Sequence, residues 1–284
     1  MNAPTTLAAF GIGLAVVFGV GAGIGVAVGP EPAPVEAEAP APAGEGVVSA
    51  SDGYRLVPAS GLVDPAGGTF RFTIAGPDGA PQRAFTPVHE RDLHLIVVNR
   101  ELTSYHHLHP RLGRDGTWAA DLPPLAPGSY RAAADFAVRG GPRLALGTDF
   151  GVAGAYSPGR LPEPARTAGT DGYTVSVDTS GGTAGAVTVA FTVSLDGRPV
   201  ADLEPHLGAR GHLVAMRAGD LAYAHVHPLE NGDDGDDGVV RFEATLASAG
   251  RYALFFDFSH GGEVHTAAFT FDQRAVAGAR HQEH

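Results

Sequence analysis

Along most of the chain, apolar and polar positions change over in short runs broken by Gly, Pro and Asp, the pattern of brief β-strands and tight turns. One such stretch occurs twice. It reads His94-Leu-Ile-Val-Val-Asn-Arg-Glu-Leu-Thr-Ser-Tyr-His-His107-Leu-His109-Pro110, and then His212-Leu-Val-Ala-Met-Arg-Ala-Gly-Asp-Leu-Ala-Tyr-Ala-His225-Val-His227-Pro228. The apolar run, polar centre and Tyr-x-x-x-His-Pro ending predict two strands joined by a tight turn. Side chains alternate faces along a strand, so His107 and His109 share a face, as do His225 and His227. A turn centred between Arg100 and Glu101 pairs His94 with His107 and Asp92 with His109. A turn centred between Ala218 and Gly219 likewise pairs His212 with His225 and Arg210 with His227. Each hairpin is thereby expected to gather three imidazoles on one face.

The duplication extends beyond the histidines. Asp52-Gly-Tyr matches Asp171-Gly-Tyr, Phe72-Thr-Ile matches Phe191-Thr-Val, and Gly128-Ser-Tyr…Asp135-Phe answers Gly250-Arg-Tyr…Asp257-Phe, at offsets between 118 and 122. About seven short strands per copy predict an all-β chain of two tandem immunoglobulin-like β-sandwich repeats, residues 47–155 and 167–272. A stiff Pro-rich hinge, 156–166, joins them, and a disordered tail, 273–284, follows.

Before the repeats, Leu7 to Gly29 is a run of 23 residues without a charge, long enough to cross a hydrocarbon core of about 30 Å. Residues 1–29 are therefore expected to be an uncleaved transmembrane helix, and the Pro/Ala/Glu stretch 30–46 a linker that lifts the repeats off the outer face of the membrane. Gly21, Gly25 and Gly29 form a small-residue row suited to a homodimer contact between such helices.

Composition narrows the chemistry. The 284 residues include no cysteine, which excludes disulfides, thiolate metal sites and cysteine nucleophiles. A net charge of −12 argues against a nucleic-acid partner. No Gly-x-Ser-x-Gly elbow supports a hydrolase. The acidic run Glu230 to Gly238 lacks the terminal Glu of a calcium loop and reads as a solvated loop.

Imidazole is the commonest protein ligand for zinc, copper and nickel. The candidate set in the first repeat is His94, His107 and His109 with Asp92, joined by His89 from a loop, while His106 points to the other face. In the second repeat it is His212, His225 and His227, with His206 on the preceding loop and His260 and His265 on the last hairpin. Arg210 stands where the first repeat has Asp92, so the two sites are expected to differ. Soft Cu(I) sites recruit Cys and Met, and the only internal methionine, Met216, lies towards the turn, so Cu(II) or Zn(II) fits better.

Two fragments carry a family likeness: His89-Glu90…His94-Leu-Ile-Val-Val…Leu102…His107-Leu-His109-Pro110, and Leu207-Gly-Ala…Gly-His212-Leu-Val…Asp220-Leu…His225-Val-His227-Pro228. They resemble bacterial secreted or membrane-anchored proteins labelled YtkA-like or heavy-metal-binding, similar to small immunoglobulin-like domains that handle copper outside the cytoplasm. The resemblance implies a non-enzymatic, membrane-tethered extracytoplasmic protein that buffers or delivers metal. The alternatives are a double-cupin-like metalloenzyme, whose motif wants a Glu that is absent at the required spacing, and an adhesion or scaffold module with structural histidines.

Overall fold

Alternation sets the strands. In Gly68–Ala75 the residues Phe70, Phe72 and Ile74 are buried while Arg71 between them is exposed, so one face of the strand meets the core. The computed structural model describes residues 46–181, 186–229, 238–246 and 248–273. The expected membrane helix, nearly all of the linker 30–46, the glycine row and the tail from 274 lie outside them. Among the described residues, no helix is long and apolar enough to cross a membrane.

The first repeat comprises β1 (Ala50–Ser51), β2 (Tyr54–Pro58), β3 (Leu62–Val63), β4 (Gly68–Ala75), β5 (Phe85–Thr86), β6 (Leu93–Asn99), β7 (Tyr105–Leu108), β8 (Arg111–Leu112), β9 (Thr117–Leu122), β10 (Gly128–Val138) and β11 (Arg143–Val152). The second comprises β12 (Thr167–Thr170), β13 (Tyr173–Gly181), β14 (Ala186–Leu195), β15 (Arg198–Pro199), β16 (His212–Arg217), β17 (Tyr223–Pro228), β18 (Val239–Thr245), β19 (Gly250–His260) and β20 (Glu263–Gln273). The chain is all-β and sandwich-like. In the first repeat, sheet β1-β2-β4-β9-β8 packs on sheet β3-β11-β10-β6-β7 around Phe72, Ile74, Trp118, Leu95 and Phe136. In the second, strands run in the order β12-β13-β14-β18-β17-β16-β19-β20 around Phe191, Phe242, Phe256 and Phe258.

One strand links the two layers of the second repeat. β17 pairs first with β16, through Met216↔Tyr223 and Ala215↔Ala224, then with β18, through His225↔Thr245 and His227↔Glu243. The matching stretch of the first repeat breaks at His109–Pro110 into β7 and β8, one in each sheet. Each repeat also fixes the entry to its long strand with a tyrosine hydroxyl. Tyr130 donates to the Ala126 carbonyl and Tyr252 to the Ser248 carbonyl, both at 2.9 Å.

β6 and β16 are buried on both faces. Leu95 and Val97 enter the first core and Leu213 and Ala215 the second, whereas Ile96, Val98, Val214 and Met216 join Leu102, Leu221, Ala133, Ala253 and Phe255 in a third apolar cluster. This seam is built from equivalent positions of the two repeats, and the described residues of both belong to one compact unit. His94 and His212 have the parity of Ile96 and Val214. Their side chains therefore leave the strands on the seam side.

The hairpin register differs from the expected one by two residues in both repeats. The ladder is Leu95↔Leu108 and Ile96↔His107, so the turn is centred between Glu101 and Leu102. In the second repeat, Ala215↔Ala224 centres it between Gly219 and Asp220. Each turn carries a leucine with left-handed backbone, Leu102 at φ 56° and Leu221 at φ 60°. A shift of two preserves parity, so His94, His107 and His109 keep a common face.

Candidate metal centre

Two local devices aim the histidines. Before β6 the chain makes a tight turn in which His89 and Glu90 both have positive φ, closed by a Val88–Arg91 bridge; Leu207 and Gly208 repeat it within a His206–Ala209 bridge. Each turn presents a carbonyl to a histidine in the first two residues of the next strand. The His94 Nε2–H donates to the Val88 carbonyl at 2.8 Å, and the His212 Nε2–H to the His206 carbonyl at 3.0 Å. A carbonyl only accepts, so the proton of each neutral ring sits on Nε2 and its Nδ1 carries a lone pair.

His107 is oriented from the other repeat. Its Nδ1–H donates to Asp257 Oδ2 at 3.0 Å, which leaves Nε2 with the lone pair. That Nε2 lies 2.9 Å from His94 Nδ1. Two lone pairs thus face each other, and changing either tautomer only moves the conflict onto the Val88 carbonyl or Asp257. A proton or a metal cation between the nitrogens resolves it. Burial, the largest influence, lowers the pKa of His94 to about 4, which disfavours a proton on that ring at neutral pH.

His109 completes the group. Its Nε2 is buried and has no hydrogen-bond partner among the described residues. One ligand atom from each of His94, His107 and His109 lies within 4.8 Å of the others. Nitrogens bound at about 2.0–2.1 Å to one tetrahedral ion sit roughly 3.3 Å apart, so the group needs only small ring rotations to close. Burial first, then the neighbouring rings, lowers the His109 pKa to about 3, and His212 is held at about 4, again mainly by burial. His94, His109 and His212 are therefore neutral, with lone pairs to donate, at physiological pH.

Around the triad, the His212 ring centre stands 6.0 Å from that of His107 and 6.3 Å from that of His94. His89 lies 5.4 Å and His206 5.8 Å from His212. A cavity of about 40 Å³ lies between His89, His94, His107, His212 and Asp135, and an open cleft of about 560 Å³ exposes the other side at His107, His109 and His206. Among the described side chains, His212, His206 and His89 thus stand beside the first-repeat triad in one cluster at the junction of the repeats.

Other expected ligands go elsewhere. Asp92 is exposed and outside the triad, because the register shift removes it from its place opposite His109. Arg210 donates to the Ala201 carbonyl at 2.6 Å. His260 and His265 form their own polar group, with Tyr173 OH 2.8 Å from His260 Nδ1 and Asp171 Oδ2 2.9 Å from His265 Nδ1. His106 pairs with Val97 and takes the opposite face from His107, within 3.3 Å of the Ser104 hydroxyl. For His225 and His227 the backbone alone is described.

Sequence reasoning missed Asp257. The signal was present: Asp135 and Asp257 interrupt apolar strands at equivalent positions, and they pair directly with His94 and His212.

A family model described as a domain of unknown function, DUF8832, matches residues 167–275. No curated protein matches the sequence. Among solved structures, the chain is similar to the BSP domain of a biofilm-associated protein, at 12% identity and a TM-score of 0.23, over 78% of this chain and 30% of that one. A tetra-tandem repeat from the extending region of a large adhesion protein gives 17% and 0.26, over 76% and 48%. The Yersinia pseudotuberculosis adhesin InvE gives 13% and 0.23, over 77% and 58%. The chain spans less than two thirds of the length of each of these three. Function has to be read from the histidines themselves.

Proposed function

We propose that this chain is a non-enzymatic metal-binding protein of two immunoglobulin-like repeats, tethered to the membrane through residues 7–29 and displayed outside the cytoplasm. It buffers or delivers Cu(II) or Zn(II) at His94, His107 and His109. The observation that carries this reading is the 2.9 Å approach of His94 Nδ1 to His107 Nε2, with the opposite nitrogen of each ring committed to the Val88 carbonyl or to Asp257. Two converging lone pairs, beside a third buried imidazole nitrogen that has no hydrogen-bond partner among the described residues, suit a divalent cation that accepts neutral nitrogen ligands. The resemblance to YtkA-like and heavy-metal-binding proteins agrees with this role. The tether rests on the uncharged run of 23 residues.

The test is the metal content of the untagged protein, followed by calorimetric titration with Cu(II) and Zn(II). One ion per chain at submicromolar Kd supports the reading. Binding no tighter than about 1 mM, roughly −4 kcal/mol, would favour histidines that serve structure alone.

A further inference from the structure

Resting on that metal reading, we infer that the site belongs to both repeats jointly: Asp257 of the second repeat is the positioning residue for the ligand His107 of the first, and a bound divalent cation clasps the repeats together. A metal-binding histidine needs its second ring nitrogen held, because that bond fixes the tautomer and ring angle and raises ligand basicity. For His94 the holder is a carbonyl of its own repeat. For His107 it is a carboxylate from the other one.

Asp257 is built for this task. It is 3% exposed, and three donors hold it. Oδ2 accepts from His107 Nδ1 at 3.0 Å and from the Tyr105 hydroxyl at 2.8 Å, while Oδ1 accepts from the Thr266 hydroxyl at 2.6 Å. The Tyr105 ring is itself fixed by stacking on Phe255, centroids 4.2 Å apart at 9°. The carboxylate therefore cannot swing away from His107 without breaking bonds on both of its oxygens. Its counterpart Asp135, opposite His94, is engaged by the Arg143 guanidinium at 3.2 and 2.9 Å. The repeats are thus unlike where it matters: one aspartate is neutralised by an arginine, the other is turned across the junction to a ligand. Because the group behind His107 comes from the second repeat, cation affinity and docking of the repeats are linked, and an ion that binds the docked pair better must stabilise it.

The experiment compares the full chain with D257N and Y105F, titrating Zn(II) against a chromophoric chelator and following hydrogen exchange with and without the ion. In the wild type, Zn(II) is expected to protect β6–β7 and also β19 across the junction. D257N is expected to bind Zn(II) 10–100-fold more weakly, with protection confined to the first repeat. Y105F keeps the carboxylate and removes one donor, so it is expected to weaken binding a few-fold even where D257N folds poorly. A wild-type chain that takes up no ion overturns the metal reading and this inference with it. A wild-type chain that binds the ion, with variants that bind it equally tightly or with protection that stops at the first repeat, overturns the clasp alone.

Discussion

His94 and His107 meet nitrogen to nitrogen, Nδ1 to Nε2 at 2.9 Å, across neighbouring strands, and neither neutral ring has a proton left for the contact. Such a contact stays favourable only when a proton or a metal cation lies between the nitrogens. The strand pairing brings the rings together, while the Val88 carbonyl and Asp257 decide which atoms face.

Replacing His107 by Ala is accordingly expected to lower Cu(II) and Zn(II) affinity by at least two orders of magnitude, since it removes a ligand and not only the group behind one. Removing His281 and His284 from the tail is expected to change little. Calorimetric titration of both variants checks this, and equal losses in the two would point to diffuse binding by exposed histidines.

Acid should loosen the fold before it protonates the surface fully. His94, His212 and His109 have pKa values lowered by burial from 6.5 to about 4, about 4 and about 3. The unfolded chain takes up these protons first, so the stability they contribute is complete above about pH 6.5 and is lost as pH falls through 4 towards 3. Denaturant midpoints of the metal-free protein should fall between pH 7 and pH 4.5, and His212→Phe should flatten that slope. An identical slope in the variant would remove His212 from the account.

The strands, the repeat and the shared face of His94, His107 and His109 were legible because all depend on a period of two and on internal similarity. The register was not, because leucine is a poor guide to a left-handed turn: its strain of about 1–2 kcal/mol is visible only beside the burial that offsets it. The approach of His212 to the first-repeat triad was also hidden. Nothing in Ile96, Val98, Val214 or Met216 says locally that the second face of an apolar strand meets the other repeat rather than solvent. Asp257 depends on that same contact, which spans 150 residues of sequence from His107.

The seam predicts cooperativity between the repeats. Ile96 is 1% exposed and Val214 3%, and both face the shared cluster. A glutamate at Ile96 would place a charge there without a partner, which the docked state tolerates poorly. The metal-free wild type is expected to unfold in one calorimetric transition, and Ile96→Glu in two, with the cores around Trp118 and Phe191 melting separately. A single unchanged transition in the variant would show that the repeats do not depend on the seam.

The two turn leucines offer a sharper test, because two opposing terms act at one residue. Leu102 and Leu221 are 3% and 1% exposed and fill the seam, while their φ values of 56° and 60° lie in the left-handed region. Full burial of a leucine is worth about 1.5–3 kcal/mol, against about 1–2 kcal/mol of left-handed strain, so leucine at this position is a net gain for the fold. Truncation to alanine loses the burial and keeps the strain, for an expected cost of about 2–4 kcal/mol at Leu221. Truncation to glycine loses the same burial but relieves the strain, which outweighs the greater freedom of glycine in the unfolded chain. Leu221→Gly should therefore be less destabilising than Leu221→Ala by about 1 kcal/mol, the reverse of the order in a regular strand. Chemical denaturation of the two variants measures the difference, and alanine proving the milder change would contradict the turn geometry.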